Sequence, residues 1–260
     1  MTVGFSCPDS TDRIICGTQT ENGGTMLART GTLYLIPTPL GNIDPGPTLS
    51  PRVSEVVKAT RIFVVERPKT ATKFLGRMGV ELDDCVFVPT ARLTDEATIA
   101  ELLRDLETGN DVGVLSEAGC PGVADPGSLI TRAAHEQGAP VVPLVGPSSV
   151  ILALMASGMN GQNFHFHGYL PLDRAKRADA VRKLDRTARE RGETQVFIEA
   201  PHRNDHLLTD LISNCSGSTL LCVALDLTLP GEYIRTKTIS SWKSDTITLG
   251  KRPAIFLLGR

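Results

Sequence analysis

The sequence contains few aromatic residues and no long apolar run. Its 260 residues include one Trp, three Tyr and eight Phe, which argues against a surface that binds single strands by stacking bases on aromatic rings. No apolar stretch approaches the roughly 18–20 residues of a membrane-spanning helix. Residues 1–29 also lack the cationic start and apolar stretch of a signal peptide. The sequence therefore predicts a soluble, cytoplasmic protein with no membrane partner.

The chain also lacks an excess of positive charge. Lys and Arg total 27 against 29 Asp and Glu, which gives a net charge of −2. The surface as a whole therefore cannot coat nucleic acid, and any recognition of phosphate requires a local cationic patch. The length and the 41% hydrophobic content allow one large domain or two smaller ones. The same composition excludes disordered, collagen-like and coiled-coil proteins.

Several common site motifs are missing. The six cysteines form no C-x-x-C pair and have no His at metal-ligand spacing, so we predict reduced thiols and no metal site. Neither G-x-G-x-x-G nor G-x-x-x-x-G-K-[ST] occurs in the chain. A dinucleotide cofactor and a P-loop nucleotide are therefore not indicated.

The pattern of apolar runs predicts an α/β fold with two unlike halves. From residue 31 onward, strands that are apolar throughout alternate with amphipathic helices, which is typical of a parallel sheet covered on both faces. After Gly146 and Pro147, the last predicted strands follow each other without a long helix between them, which favours antiparallel pairing. We predict a flexible extension over residues 1–29, an N-terminal, mostly parallel α/β domain over residues 30–145 and a C-terminal mixed α/β domain over residues 146–260.

Four loops rich in Gly and Pro follow the predicted strands of the first domain. They span residues 37–42, 66–70, 116–121 and 146–149. Ligands of open α/β sheets bind beyond the carboxyl ends of the strands, where these loops converge. Gly and Pro fix the shape of a loop and expose its backbone groups. The loops therefore predict a polar small-molecule ligand that is recognised mainly by the main chain.

Three segments of the chain carry a resemblance to a known family. They are LYLIPTPLGN at residues 33–42, LSEAGCPGVADPG at residues 115–127 and PLVGPSSVILALMASG at residues 143–158. In this order they resemble the tetrapyrrole methylase superfamily, and within it the branch of ribosomal RNA small-subunit methyltransferases. Further motifs at residues 164–171, 196–203 and 223–228 extend the resemblance over residues 31–260.

The resemblance implies a methyltransferase that uses S-adenosyl-L-methionine, usually as a homodimer, with the cofactor in a cleft between two domains. Matching the motifs residue by residue implies cofactor contacts from three loops of the first domain and two segments of the second. These residues are Pro39, Leu40, Gly41, Ser116, Glu117, Ala118, Gly119, Ser148, Ser149, Glu199, Ala200, Leu225 and Asp226.

A base near the acceptor would help methyl transfer to a ribose hydroxyl. We predict Glu66, Glu199 and His202 as the catalytic residues. The alternatives are an ion pair of Glu66 with Arg67 or Lys69 and an ion pair of Glu199 with Arg203. Asp125 is also a polar group of the predicted cleft, and we interpret it as a turn or helix-capping residue because Pro126 and Gly127 follow it.

A basic helix predicted over Arg174–Arg191 is the candidate phosphate patch. We predict RNA contacts by four of its side chains, together with Arg203. The four are Lys176, Arg177, Lys183 and Arg186. The alternative for this helix is a solvated surface.

The residues are compatible with more than one class of methyl acceptor. We predict a structured RNA, namely a ribose 2′-hydroxyl of small-subunit ribosomal RNA. A tetrapyrrole or another small-molecule acceptor is the alternative, and a cofactor-binding protein without catalysis is the second. These alternatives stay open because residues 66–69, 117 and 226–232 depart from the motifs of the RNA branch.

Overall fold

Two five-stranded sheets organise the part of the chain that the structure describes. This computed structural model covers residues 30–245 and 247–260, and the predicted extension over residues 1–29 lies outside that part. One sheet is parallel and the other is mixed, which confirms the predicted α/β class. The division into domains at residues 145 and 146 stays a prediction.

The first sheet is parallel and is covered by helices on both faces. Strands β1 (Leu33–Ile36), β2 (Ile62–Val65), β3 (Val86–Pro89), β4 (Val112–Leu115) and β5 (Val141–Pro143) lie in the order β3-β2-β4-β1-β5. Helices α1 (Pro51–Ala59) and α2 (Pro68–Arg77) pack on one face, and α3 (Glu96–Glu107) and α4 (Ser128–Glu136) pack on the other. Burial on both faces explains why the central strands are apolar throughout.

The second sheet is mixed. Strands β6 (Phe164–Tyr169), β7 (Thr194–Ile198), β8 (Leu220–Leu225), β9 (Tyr233–Thr238) and β10 (Ala254–Gly259) lie in the order β6-β7-β10-β8-β9. Only the pairing of β6 with β7 is parallel. Helices α6 (Arg174–Arg191), α7 (Asn204–Asn214) and the short α8 (Ile239–Trp242) pack on one face, while α5 (Ser149–Ser157) packs on the other.

Close backbone contacts hold the loops at the carboxyl edge of the first sheet. Thr38 and Gly119 exchange two backbone hydrogen bonds of 3.0 and 3.1 Å, which join the loops after β1 and β4. A Cβ atom on Gly146 would lie 2.3 Å from Cγ of Pro37, so only glycine allows the loop before α5 to pack there. The loops after β1, β4 and β5 therefore form one rigid edge that faces the second sheet.

Within the described residues, no helix combines the length and the apolar character that crossing a lipid bilayer requires.

Candidate functional site

Three adjoining cavities lie at this edge. The α2 cavity, about 530 Å³, lies over the ends of β1, β2 and β4 and alongside α2. The inter-sheet cavity, about 240 Å³, lies between the loops of the first sheet and strands β7, β8 and β10. The central cavity, about 290 Å³, shares Glu66 and Glu117 with the α2 cavity and Ser149 and Tyr169 with the inter-sheet cavity. The three cavities therefore adjoin one another, and together they are called the cleft.

Most of the predicted cofactor residues line this cleft. Among them, Ala200 and Leu225 line none of the three cavities. Leu225 is fully buried in the core under α6 and α7, because the side chains of a strand alternate between the two faces of its sheet. Its neighbours Ala224 and Asp226 line the inter-sheet cavity instead. The side chain of Leu225 therefore does not reach the cleft, and a contact of its main chain with the cofactor stays a prediction.

Helix α5 begins at the cleft. Its N-cap is Ser148, whose side chain accepts a hydrogen bond from the backbone N–H of Ile151 at 3.5 Å. Ser148 and Ser149 both line the central cavity. The first turn of a helix carries unpaired N–H groups and a partial positive charge. This end of the cleft is therefore suited to an anionic group such as a carboxylate.

Glu199 is a buried carboxylate with one free oxygen. Its Oε1 atom accepts hydrogen bonds from the backbone N–H of Ala200, at 2.6 Å, and from the guanidinium of Arg203. Its Oε2 atom is buried without a hydrogen-bond partner among the described residues. The alternative ion pair with Arg203 is thus formed, yet an acceptor remains for a donor from outside the protein.

Asp226 lines the inter-sheet cavity together with Glu199, and its backbone conformation is strained. Its φ angle is 49° and that of Thr228 is 68°, a region that residues other than Gly rarely adopt. Its carboxylate accepts a hydrogen bond of 2.5 Å from Nε of Arg252. Such strain persists where the surrounding contacts enforce it and often marks a ligand site. The segment after β8 is therefore held rigidly against the inter-sheet cavity.

Asp125, which the sequence pattern indicates as a turn or helix-capping residue, is also a polar group of the cleft. It lines the central cavity with Glu66 and Glu117, and its Oδ2 atom is buried without a hydrogen-bond partner among the described residues. Burial, followed by the negative charges of Glu66 and Glu117, raises the pKa of Asp125 to about 6, although the backbone N–H of Glu117 partly opposes this shift. A carboxylate with such a pKa suits general-base catalysis near neutral pH.

The interpretation of Asp125 as a helix cap is wrong, whereas its interpretation as a turn residue agrees with the bend that it occupies before α4. Helix α4 has Gly127 as its N-cap residue and no side-chain capping hydrogen bond. The signal for a functional role lay in the position of Asp125, in the loop after β4 that also carries Glu117. Asp followed by Pro and Gly is so common in turns that this position did not stand out.

Glu66 and His202 are predicted as catalytic residues together with Glu199, and only one of the two lines the cleft. Glu66 is exposed at the junction of the α2 and central cavities, and Arg67 pairs with Glu117, at 2.5 Å, rather than with Glu66. His202 is exposed on the 3-10 turn Pro201–Arg203 and lines none of the three cavities. The structure therefore does not bring His202 to the cleft.

The basic helix α6 lies on the wrong side of the second sheet to reach the cleft. It packs with α7 on one face, whereas the inter-sheet cavity opens on the face of Ala224 and Ile255, which α5 covers. Lys176, Lys183 and Arg186 are exposed on α6, so their contact with RNA stays a prediction that gains no support from the cleft geometry.

Two of the predicted RNA contacts are engaged within the protein. Arg177 is 8% exposed and its NH2 atom lies 2.7 Å from Oδ2 of Asp210. It also donates a 2.8 Å hydrogen bond to the carbonyl of Leu172. A buried guanidinium held in this way cannot contact RNA, so the prediction for Arg177 is wrong. Arg203 is partly buried and its guanidinium pairs with Glu199, although its Nε atom has no hydrogen-bond partner among the described residues.

Comparison with known proteins identifies the family. Residues 32–242 match the family model described as Tetrapyrrole (Corrin/Porphyrin) Methylases. The chain belongs to this family. The resemblance seen in the sequence motifs is thereby confirmed, and so is the predicted fold, in which the edge of a parallel sheet faces a mixed sheet.

Relatives within the tetrapyrrole methylase family are methyltransferases. The chain is 32% identical over 212 residues to ribosomal RNA small subunit methyltransferase I of Xylella fastidiosa (strain Temecula1 / ATCC 700964), an alignment that covers 81% of this chain and 74% of that protein. It is 39% identical over 184 residues to the protein of the same name from Micromonospora olivasterospora, covering 71% of this chain and 56% of that protein. The chain therefore spans little more than half the length of the second relative.

A solved structure supports the fold assignment. The methyltransferase CobJ superposes with a TM-score of 0.58 over 89% of this chain and 95% of that chain, at 19% sequence identity. Together, the family and the relatives identify the chain as a methyltransferase with S-adenosyl-L-methionine as its cofactor.

The cleft fits this cofactor. Oε2 of Glu199, which has no partner among the described residues, would suit the donors that the cofactor carries, such as its amino groups and ribose hydroxyls. Apolar side chains of the inter-sheet cavity, including Leu40, Ile198 and Leu227, suit an adenine ring. This combination of an apolar cavity and a few convergent polar groups is typical of cofactor sites.

Proposed function

We propose that the chain transfers a methyl group from S-adenosyl-L-methionine to a ribose 2′-hydroxyl of small-subunit ribosomal RNA. The named relatives support the RNA class. The observation that carries the reaction is the position of Asp125, a half-buried side chain of the central cavity whose Oδ2 atom has no hydrogen-bond partner among the described residues. This cavity joins the cofactor side of the cleft to the α2 cavity, which is large enough for an acceptor.

The inter-sheet cavity would hold the cofactor. Leu40, Ile198 and Leu227 would pack on its adenine, and Glu199 Oε2 would accept a hydrogen bond from it. The N-terminus of α5 would bind its carboxylate. When bound, the cofactor supplies a methyl group that is already activated by a positively charged sulfur.

The protein's own contribution is alignment and proton removal. The rigid loops after β1, β4 and β5 fix the walls of the cleft, which favours a productive orientation of donor and acceptor. Asp125 would accept the proton of the ribose hydroxyl at Oδ2, the oxygen without a partner in the protein. The negative charges of Glu66 and Glu117 make this carboxylate a stronger base,.

Incubation with radiolabelled S-adenosyl-L-methionine tests the proposed acceptor. The acceptors are small ribosomal subunits from a bacterium that lacks its own related methyltransferase, large subunits from the same cells, and uroporphyrinogen III as a tetrapyrrole. We expect label in the RNA of the small subunit alone. Label in the tetrapyrrole alone would favour the small-molecule alternative. Cofactor binding without any transfer would favour the non-catalytic alternative.

We also propose a homodimer that forms around α5. Val145, Met155 and Leu172 are 78%, 74% and 75% exposed, and Ile151 lies one turn before Met155 on the same face of the helix. Exposed apolar side chains of this size often mark an interface between proteins.

The cytoplasmic location of the protein stays a prediction.

Met155→Asp is expected to shift the protein from dimer to monomer, because the interface would have to bury an unpaired carboxylate. Light scattering coupled to size exclusion measures the mass directly. Leu129→Asp on α4, where Leu129 is 44% exposed, is the matched control and is expected to stay dimeric. A wild-type protein that is monomeric at all concentrations would contradict the proposed dimer.

A further inference from the structure

A row of cations follows α2 along the α2 cavity. Lys69, Lys73 and Arg77 are spaced four residues apart, which places them on one face of the helix. All three are exposed, and all three line the cavity of about 530 Å³. Over eight residues the row extends roughly 12 Å. It therefore presents several positive charges along one wall of a cavity, rather than scattered over a convex surface.

The charge of this row is largely available to a ligand. The ammonium groups of Lys69 and Lys73 have no hydrogen-bond or ion-pair partner within residues 30–245 and 247–260. Arg77 makes only a 3.3 Å hydrogen bond to the carbonyl of Ile43. Arg67, at the start of the helix, is instead engaged by Glu117. The lining of the α2 cavity thus holds four cations, Arg67 included, against the two carboxylates of Glu66 and Glu117. This local excess of positive charge in an otherwise slightly acidic chain is the patch that phosphate recognition requires.

The row of cations on α2 lies close to Asp125 along the cleft. The α2 cavity and the central cavity share Glu66 and Glu117, and Asp125 lines the central cavity. A ligand that binds along α2 therefore reaches the proposed base without leaving the cleft. The cations of α6 have no such path, because α6 packs on the face of the second sheet opposite to the inter-sheet cavity.

We propose that Lys69, Lys73 and Arg77 bind the phosphodiester groups that flank the target nucleotide. The RNA strand then lies in the α2 cavity, with the target ribose at the junction marked by Glu66 and Glu117. This assignment rests on the proposed function, since it takes the acceptor to be RNA. Phosphate contacts fix the register and orientation of a nucleic acid, so the row positions the ribose and leaves proton removal to Asp125.

The test is a double variant, Lys69→Ala with Lys73→Ala, whose binding to transcribed small-subunit ribosomal RNA is measured by filter binding. The measurement is repeated between 50 and 200 mM salt. We expect roughly tenfold weaker binding at 100 mM salt and a salt slope reduced by about 1–2, because two phosphate contacts are lost. Affinity for S-adenosyl-L-methionine, measured by calorimetry, is expected to stay at the wild-type value.

The matched control is Arg104→Ala with Arg132→Ala, which removes the same charge from exposed positions on α3 and α4. It is expected to bind RNA as the wild type does. A triple variant of Lys176, Lys183 and Arg186 to Ala tests the competing surface on α6. If the double variant of α2 matches the wild type, or if it loses no more affinity than the Arg104/Arg132 control, the assignment to α2 is wrong.

The outcomes also separate this assignment from the proposed function. Wild-type protein that binds and methylates RNA, together with an unaffected double variant of α2, overturns only the role of the row. Wild-type protein that neither binds nor methylates RNA overturns both. Loss of binding in the α6 triple variant alone would place the RNA on α6 and reject the α2 cavity.

Discussion

Asp125→Asn is expected to lower the turnover of methyl transfer by about 10²–10⁴-fold, the usual contribution of a positioned general base. Asn has the shape of Asp but cannot accept the proton of a hydroxyl group. Affinity for S-adenosyl-L-methionine is expected to change little, because Asn keeps the shape of Asp and Asp125 lies outside the inter-sheet cavity, where the adenine would bind. Single-turnover transfer to small ribosomal subunits measures the rate, and calorimetry measures cofactor binding.

The pH dependence of the rate identifies the group that acts. The pKa of Asp125 is raised to about 6 by burial and by the charges of Glu66 and Glu117, and a base works in its ionised form. The wild-type rate is therefore expected to rise with pH through about 6 and to level off above it. Asp125→Asn is expected to lose this dependence. Glu66→Gln removes one of the two negative charges and is expected to move the midpoint to lower pH.

Stability measurements separate a catalytic loss from misfolding. The pKa of Asp125 is higher in the folded chain than the value of about 3.9 expected in the unfolded chain, so the folded state binds more protons between pH 4 and 6. The contribution of Asp125 to the unfolding free energy therefore falls as pH rises through this window. Asp125→Asn should be at least as stable as the wild type at pH 7.

An exposed aspartate provides the control for this variant. Asp84 lies in the turn before β3, away from the three cavities, and Asp84→Asn is expected to leave both rate and pH profile unchanged. Wild-type turnover in Asp125→Asn, with the same pH profile, would exclude Asp125 as the base.

Glu199→Gln is expected to weaken cofactor binding by about ten- to hundredfold. A hydrogen bond to a charged group contributes about 1.5–3 kcal/mol. Glu199 lines the inter-sheet cavity, and its Oε2 atom, which has no partner among the described residues, is the acceptor that we propose for the cofactor. The substitution also breaks the pair with Arg203, in which the Glu199 side chain is 1% exposed. Removing one partner of a buried pair costs about 3–5 kcal/mol of stability.

Arg203→Gln distinguishes these two effects. It breaks the same ion pair but leaves the carboxylate of Glu199 in place. Both variants are expected to lose stability in urea unfolding, whereas only Glu199→Gln should lose affinity for S-adenosyl-L-methionine. Equal losses of affinity in the two variants would show that the ion pair positions the loop and that Glu199 makes no direct contact.

The fold could be predicted in large part because each half has a distinct apolar pattern. The strands of the first sheet are apolar on both faces, and the last strands of the chain lack crossover helices, so parallel and mixed sheets follow directly. The convergence of the Gly- and Pro-rich loops followed from the parallel order of the strands. Which loops contact each other, as Thr38 and Gly119 do, could not be predicted, because it depends on the order of the strands in the sheet. The apolar pattern of the sequence does not give that order.

The site was predicted less completely, for two different physical reasons. Arg177 lies four residues before Val181 and seven before Leu184, so helical periodicity alone places it on the buried stripe of α6. Its positive charge instead favoured the prediction of an exposed RNA contact. The distance of α6 from the cleft could not be predicted, since it depends on which face of the second sheet each helix covers. Asp125 was hidden by a turn motif that serves structure far more often than catalysis.

Mass spectrometry of ribonucleosides shows whether the protein methylates a ribose hydroxyl and whether Asp125 is needed for it. Small ribosomal subunits are incubated with the protein and S-adenosyl-L-methionine, and their RNA is then digested to nucleosides. We expect a 2′-O-methylated nucleoside that appears with the wild-type protein and is nearly absent with Asp125→Asn. A methyl group on a base, or no methylated nucleoside although the cofactor binds, would contradict this expectation.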